Sequence, residues 1–378
     1  MSRITWFFLS IVAALPMAAQ DPDPPFVEYS QRDATYLRRL HRNPTAKLHF
    51  TEHYRGGFKA WQKDARNRLS DLLGLPQIKK DAARHRCSVE LAPPIQEDGY
   101  QRTLGRIETE PGIFIPFWIL VPDGPSDPLR PLAICAQGHG GNSWNTYAGV
   151  FSNNEERSKT HAKNGSPAIE AVKRGFITIA PAVRGLADAA SIADPKGRHG
   201  NRPCRAQLIH CLLAGRTAIG ERVWDCQRIL DWALQQVAGV DKNRVLFTGN
   251  SGGGVLTVYM AALDPRITVA VPSCSFTSYT SAEGFIFHCD CCLVPKAQIE
   301  LGDFADIGGL AAPTFLLAVH GRQDGLHHFP DVEKAMARVK QIYKAAQAGD
   351  NFAHRWGDKG HQFYPELMWP FIEAAIQQ

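Results

Sequence analysis

Hydrophobic and polar positions along the chain change rhythm near residue 131. Before it, "FKAWQKDARNRLSDLLGLP" repeats apolar side chains at helical spacing. Phe58, Trp61, Ala65, Leu69 and Leu72 share one face, and Gly74 and Pro76 act as stop signals. "CSVEL", "YQRTLGRIETE" and "IFIPFWILVP" follow, and the Pro-Gly between the last two predicts an antiparallel pair. Beyond residue 131, short apolar runs alternate with helical stretches. "PLAICAQ", "FITIAP", "RVLFTG", "ITVAVP" and "APTFLLAVHG" read as strands. "SPAIEAVKRG", "RTAIGERVWDCQRILDWALQQ", "GVLTVYMAALD", "DVEKAMARVKQIYKAA" and "PELMWPFIEAAI" read as helices. Strands that are apolar throughout are those buried on both faces. The pattern therefore predicts an α/β fold, a mostly parallel central sheet with helices on both faces, preceded by an N-terminal helical extension.

The first twenty residues stand apart. Arg3 precedes an apolar run from Ile4 to Leu15, and Pro16 and small residues close it. That is the layout of a cleavable export signal, and it is too short to span a bilayer as a helix. The expected division is a signal peptide over 1–20, a helical extension over 21–84 and the main domain over 85–378. The mature protein is expected in the periplasm or outside the cell, free of the membrane after cleavage. Composition changes little in this picture: 378 residues, 44% hydrophobic and 21% charged, with a net charge of +5. No basic run is interleaved with aromatics, which argues against a nucleic-acid partner. The nine cysteines are an odd number, so even where export permits disulfides at least one thiol is left over.

The candidate chemistry begins with "VLFTGNSGGG", residues 245–254. A G-x-S-x-G pentapeptide is a common accident in a chain with 32 glycines, so its flanks decide. Here an apolar strand leads in and an apolar helix leads out. A turn that tight strains its central residue, and neighbours without Cβ let the two arms approach. Ser251 would then sit at a helix N-terminus, where free amides favour developing negative charge. A lone serine is a poor nucleophile and needs a base oriented by an acid, in the order Ser, Asp, His for this architecture. "VHGRQDG" ends a strand and supplies Asp324, with Asp303 and Asp306 as alternatives. "GDKGHQFYP" follows another short strand and supplies His361, in competition with His354, His327 and His328. The amide of Gly252 and one from the loop "GHGGNSW", His139 with Gly140 as the fallback, would form the oxyanion hole.

With "GHGG", "GNSGGG", "HGRQD" and "KGHQFY" in this order, residues 85–378 resemble the α/β-hydrolase superfamily. The likeness is to the branch of dienelactone-hydrolase-like proteins, acetyl xylan esterases and prolyl-oligopeptidase-type catalytic domains. It implies Ser251 as nucleophile, Asp324 as acid and His361 as base. It also implies that Arg184, in "PAVRG", supports the site as the corresponding Arg-Gly does in acetyl esterases. Trp144 and Tyr147, just past the oxyanion loop, are candidates for stacking on a sugar. "HCDCC", residues 288–292, is dense in soft ligands. On an extended chain adjacent and alternate positions point apart, so no metal is expected there; a disulfide or a packed loop is expected instead, with Cys204 as a candidate partner for a bridge. The expected function is an exported, cofactor-independent serine esterase acting on short-acyl carbohydrate esters. A serine peptidase of prolyl-oligopeptidase type and a non-catalytic carbohydrate-binding relic are the other readings.

Overall fold

The computed structural model describes residues 46–192, 195–198, 200–281 and 286–378. The signal peptide expected over 1–20, and residues 21–45 of the extension, lie outside the described residues.

Ten strands form one sheet: β1 (Val89–Leu91), β2 (Ile95–Glu97), β3 (Tyr100–Glu110), β4 (Ile113–Pro122), β5 (Arg130–Ala136), β6 (Ile177–Pro181), β7 (Val240–Asn250), β8 (Val269–Ser273), β9 (Phe315–Gly321) and β10 (Phe352–Gly357). Their order is β1-β3-β4-β6-β5-β7-β8-β9-β10, with β2 also paired to β3. The sheet is parallel from β6 through β10 and antiparallel at the β1–β4 end, where the predicted β3–β4 hairpin forms. β7 pairs with β5 and β8 on its two sides, so the serine that follows it emerges near the middle of the sheet.

The strand period of two explains the three layers. Along β5, Leu132, Ile134 and Ala136 enter one core while Ala133 and Cys135 enter the other. β9 splits the same way, Leu316 and Ala318 against Leu317 and Val319. The helices used below are α1 (Gly57–Leu73), α2 (Ser143–Tyr147), α3 (Pro167–Val172), α4 (Pro203–Leu213), α5 (Ala218–Gln236), α6 (Gly252–Leu263), α7 (Phe304–Gly309), α8 (Phe329–Ala345) and α9 (Pro365–Ile376). On one face α1, α5, α6 and α8 bury their apolar stripes, and on the other α3 and α9 do so.

α1 is tied into the larger of these cores. Trp61, Ala65, Leu69 and Leu73 are buried along its inner face, so Leu73 takes the place expected for Leu72. Trp61 packs against Phe50 at 5.0 Å, and its indole N–H donates to the Leu48 carbonyl at 2.7 Å. The Arg66 guanidinium donates to the carbonyls of Ala262 and Leu310, each at 2.7 Å, closing the ends of α6 and α7.

Candidate active site

Ser251 follows the last residue of β7 and caps α6 with φ 57° and ψ −125°, a conformation that costs a non-glycine residue energy. The surroundings hold it there. The Ser251 amide donates to the Ser273 carbonyl at the end of β8, at 3.0 Å, and its carbonyl accepts from Val255 at 3.0 Å. A Cβ at Gly249 would lie 2.5 Å from the Gly253 carbonyl carbon, and one at Gly253 would lie 2.1 Å from the Ala136 carbonyl oxygen. Both glycines exist because β5, β7 and α6 converge on this turn.

The loop after β5 crosses directly above the serine. A Cβ at Gly138 would be 2.5 Å from the Asn250 carbonyl oxygen and 3.2 Å from the Ser251 Cβ. The His139 ring lies over Gly252, whose absent Cβ would sit 2.4 Å from Nδ1. The candidate oxyanion-hole residues His139 and Gly252 are thus brought together beside Ser251.

Asp324 lies three residues beyond β9 and His361 four beyond β10. His361 Nδ1 donates to Asp324 Oδ2 at 2.7 Å. Asp324 Oδ1 accepts from the Leu326 amide at 3.0 Å, and His327 Nδ1 lies 3.4 Å from Oδ2. Burial opposes the charge on Asp324, but His327, His361 and the Leu326 amide outweigh it and hold the carboxyl well below the usual carboxylate range. Asp324 is therefore an anion under all ordinary conditions, the state needed to orient an imidazole. The alternatives are occupied elsewhere. Asp303 caps α7 and accepts from the Tyr279 amide, and Asp306 binds Arg338 and the Phe50 amide. His354 contacts His320 at 3.2 Å within the sheet, and His328 bonds Asp331 at 2.9 Å.

Ser251 and His361 line two adjoining clefts, of about 950 and 940 Å³. The first is walled by Leu186, Val255, Phe287 and His327 among others, the second by Tyr147, Glu155, Glu156, Lys159 and Phe363. Among the described residues no hydrogen bond joins the Ser251 hydroxyl to His361. Such contacts are often long without substrate and tighten as it binds.

Three expectations need correction. Arg184 lines neither cleft. Its buried guanidinium binds Asp225, Glu110 at 2.6 Å and Thr109 at 3.2 Å, so it ties β3 and α5 together rather than facing Ser251. Trp144 is also absent from both cleft walls. It is buried against Trp118, and its indole N–H donates to Asp188 at 2.8 Å, so no face is left for a sugar. Tyr147, its companion in that expectation, does reach the second cleft. Third, the 288–292 segment is not extended. A 3-10 turn, Asp290–Cys292, swings Cys289 and Cys291 to the same side. His139, Cys204, Cys289 and Cys291 place their ligand atoms within 4.8 Å of one another. All nine cysteines are free thiols, so the candidate bridge from Cys204 is not formed. Sequence reasoning missed this cluster because its members come from three distant segments.

A strained serine between a central strand and a helix, with a carboxylate–imidazole pair delivered by later strands of a mostly parallel sheet, defines the α/β-hydrolase class. Residues 35–280 match the Abhydrolase family, and the chain belongs to that family. A Bacillus subtilis (strain 168) protein assigned as a hydrolase, YtaP, is 28% identical over 158 residues, which are 40% of this chain and 50% of that protein. The chain thus matches about half the length of this relative. Among solved structures, a Bacteroides fragilis NCTC 9343 protein assigned as an acetyl xylan esterase superposes with TM-score 0.69 at 17% identity, covering 90% of this chain and 94% of that one. A glucuronoyl esterase from Solibacter usitatus gives 0.59 at 15%, covering 84% and 94%. An acetyl xylan esterase from Paenibacillus sp. R4 gives 0.53 at 19%, covering 90% and 99%. At these identities the likeness is one of fold.

Proposed function

We propose that the protein is a serine hydrolase that cleaves carboxylic esters through an acyl-enzyme. The observation that carries this reading is the 2.7 Å Asp324–His361 bond opening onto the clefts that the strained Ser251 also lines. His361 takes the Ser251 proton as the oxygen attacks the acyl carbon, while Asp324 holds the imidazole and stabilises its cation. The amides of Gly252 and His139 bind the oxyanion. His361 then protonates the leaving alcohol and activates the water that releases the acid. The chemistry requires no cofactor.

The preferred substrates are short-acyl esters of carbohydrate. Two features support this: fold neighbours that include acetyl xylan and glucuronoyl esterases, and two clefts meeting at the serine. The second cleft combines the Tyr147 ring with Asn153, Glu155, Glu156 and Lys159, a polar-aromatic mixture suited to a sugar alcohol. Export through a leader over 1–20 belongs to the same proposal and is tested by the N-terminal mass of the mature protein. The activity is tested with a fluorophosphonate probe on the wild type and Ser251→Ala, and with p-nitrophenyl esters, acetylated xylan and prolyl peptides. Labelling lost only in the variant, with turnover fastest on short acyl esters, is expected. Absence of labelling, or preference for the peptides, overturns the reading.

A further inference from the structure

We propose that His139, Cys204, Cys289 and Cys291 form a binding site for zinc or a similarly soft divalent cation in the wall of the larger cleft. Three thiolates and an imidazole are a structural zinc set, and four protein ligands close the coordination sphere. The sulfurs of Cys289 and Cys291 are 3.7 Å apart. Zinc–sulfur bonds of about 2.3 Å in a tetrahedron put neighbouring sulfurs about 3.8 Å apart, so this edge already has the required length. His139 Nε2 lies 3.0 Å from Cys291 Sγ, in direct contact, and an ion between them would separate the pair by roughly half an ångström.

The ligands are held by the protein. Cys204 is on the first turn of α4. Asp290, between the other two cysteines, accepts from Arg202 and Arg205 at 2.8 and 2.6 Å and from the Cys291 amide at 2.8 Å. These bonds fasten the Cys-Asp-Cys turn to the start of α4. His139 arrives on the loop after β5.

A second observation points to an anion at this place. Arg222 is 1% exposed, and among the described residues no carboxylate pairs with it. Its guanidinium donates to Arg184 and Gln207 oxygens and, at 3.2 and 3.8 Å, to the sulfurs of Cys291 and Cys292. A buried cation without a counter-charge is costly. A dication with three thiolates and a neutral imidazole carries one negative charge, which Arg222 neutralises. A disulfide that includes Cys291, the sulfur nearest Arg222, is uncharged and leaves the guanidinium unmatched. That difference favours metal over a disulfide at Cys291.

The site has a consequence that rests on the proposed hydrolase mechanism. His139 would bind metal through its side chain and the oxyanion through its amide. An ion there clamps the loop that crosses Ser251 onto the 289–292 turn, so the amide is prepared before substrate arrives.

The full chain, produced with zinc and without chelator, is assayed for metal by mass spectrometry. About one zinc per chain is expected in the wild type, in Ser251→Ala and in the exposed-thiol control Cys87→Ser. Cys204→Ser and Cys289→Ser are each expected to retain less than about a tenth of that. Should these variants not fold, the wild type itself serves: titrating its thiols with a mercurial is expected to release zinc to a chelating dye. Chelation of the wild type is expected to lower kcat by about 10- to 100-fold, restored by zinc. A wild type produced with zinc that holds no stoichiometric metal, with all nine thiols alkylatable, overturns the proposal. So does a Cys204 cross-link to Cys289 or Cys291 in non-reducing peptide maps. The metal count is read without turnover, so a protein that binds zinc but cleaves no ester would refute the hydrolase reading alone.

Discussion

At the residue scale the site is governed by atoms that are absent. A Cβ at Gly253 would meet two backbone oxygens, Ala136 at 2.1 Å and Gln137 at 2.8 Å, and neither can move without displacing the end of β5. Gly253→Ala is expected to cost about 2 kcal/mol or more, read as a lower urea midpoint at unchanged slope, and to reduce turnover. Asp324 calls for a different signature. Its bond to His361 orients a ring without touching substrate. Asp324→Asn is therefore expected to lower kcat by about 1,000-fold or more with little change in KM. A loss in KM alone would remove Asp324 from the proposed triad. Asp324 stands at the strand end where the order Ser, Asp, His leads one to look, and in the fold it meets His361. Arg184 illustrates the opposite: the likeness of "PAVRG" to acetyl esterases implies a place beside the site, but only the fold shows Asp225 and Glu110 waiting for its charge.

At the element scale, periodicity was a reliable guide wherever an element buries one stripe or two faces. β5, β7 and β9 follow the predicted apolar runs, and α1 and α5 the predicted helical spacing. It was a poor guide between elements. α4 and the 289–292 turn, which build one wall of the larger cleft, have mixed or very short patterns that no period marks. α1 bears on stability. Trp61 is 1% exposed and packs against Phe50 and Phe58. Trp61→Ala is expected to destabilise the whole protein by about 3–5 kcal/mol in one cooperative unfolding transition. A separate early transition of the N-terminal segment would mean that α1 is an appendage rather than part of the core.

At the scale of the whole molecule, buried histidines set the acid limit. His320 on β9 is 1% exposed and faces His354 on β10 and His327. Burial, then its two histidine neighbours, hold it well below its ordinary value against the opposing pull of Asp324. Burial brings His354 down to about 4, with Glu333 opposing and Arg322 assisting. The unfolded chain takes up protons near pH 6.5 that these folded sites refuse, so stability falls as the pH drops from about 6.5 toward 4. The slope approaches about 1.4 kcal/mol per pH unit for each such histidine. Melting temperatures between pH 8 and 5 test this, and His354→Gln is expected to flatten the dependence. Asp324 acts in a lower window: its carboxyl is held down in the folded state, so its contribution is lost only as the pH falls below about 4.

The sequence by itself determined the α/β class, the strand–serine–helix turn and the order of the three candidate catalytic residues. The first two are written in neighbouring positions, through burial periodicity and through the steric need for glycine at a tight turn, and the third in the succession of strand ends along the chain. Tertiary structure alone decided which side chains meet. It gave Arg184 and Trp144 to buried partners, and it drew His139, Cys204, Cys289 and Cys291 into one cluster. Such meetings depend on how distant segments cross in space, and a side chain reaches whatever the packed chain puts beside it.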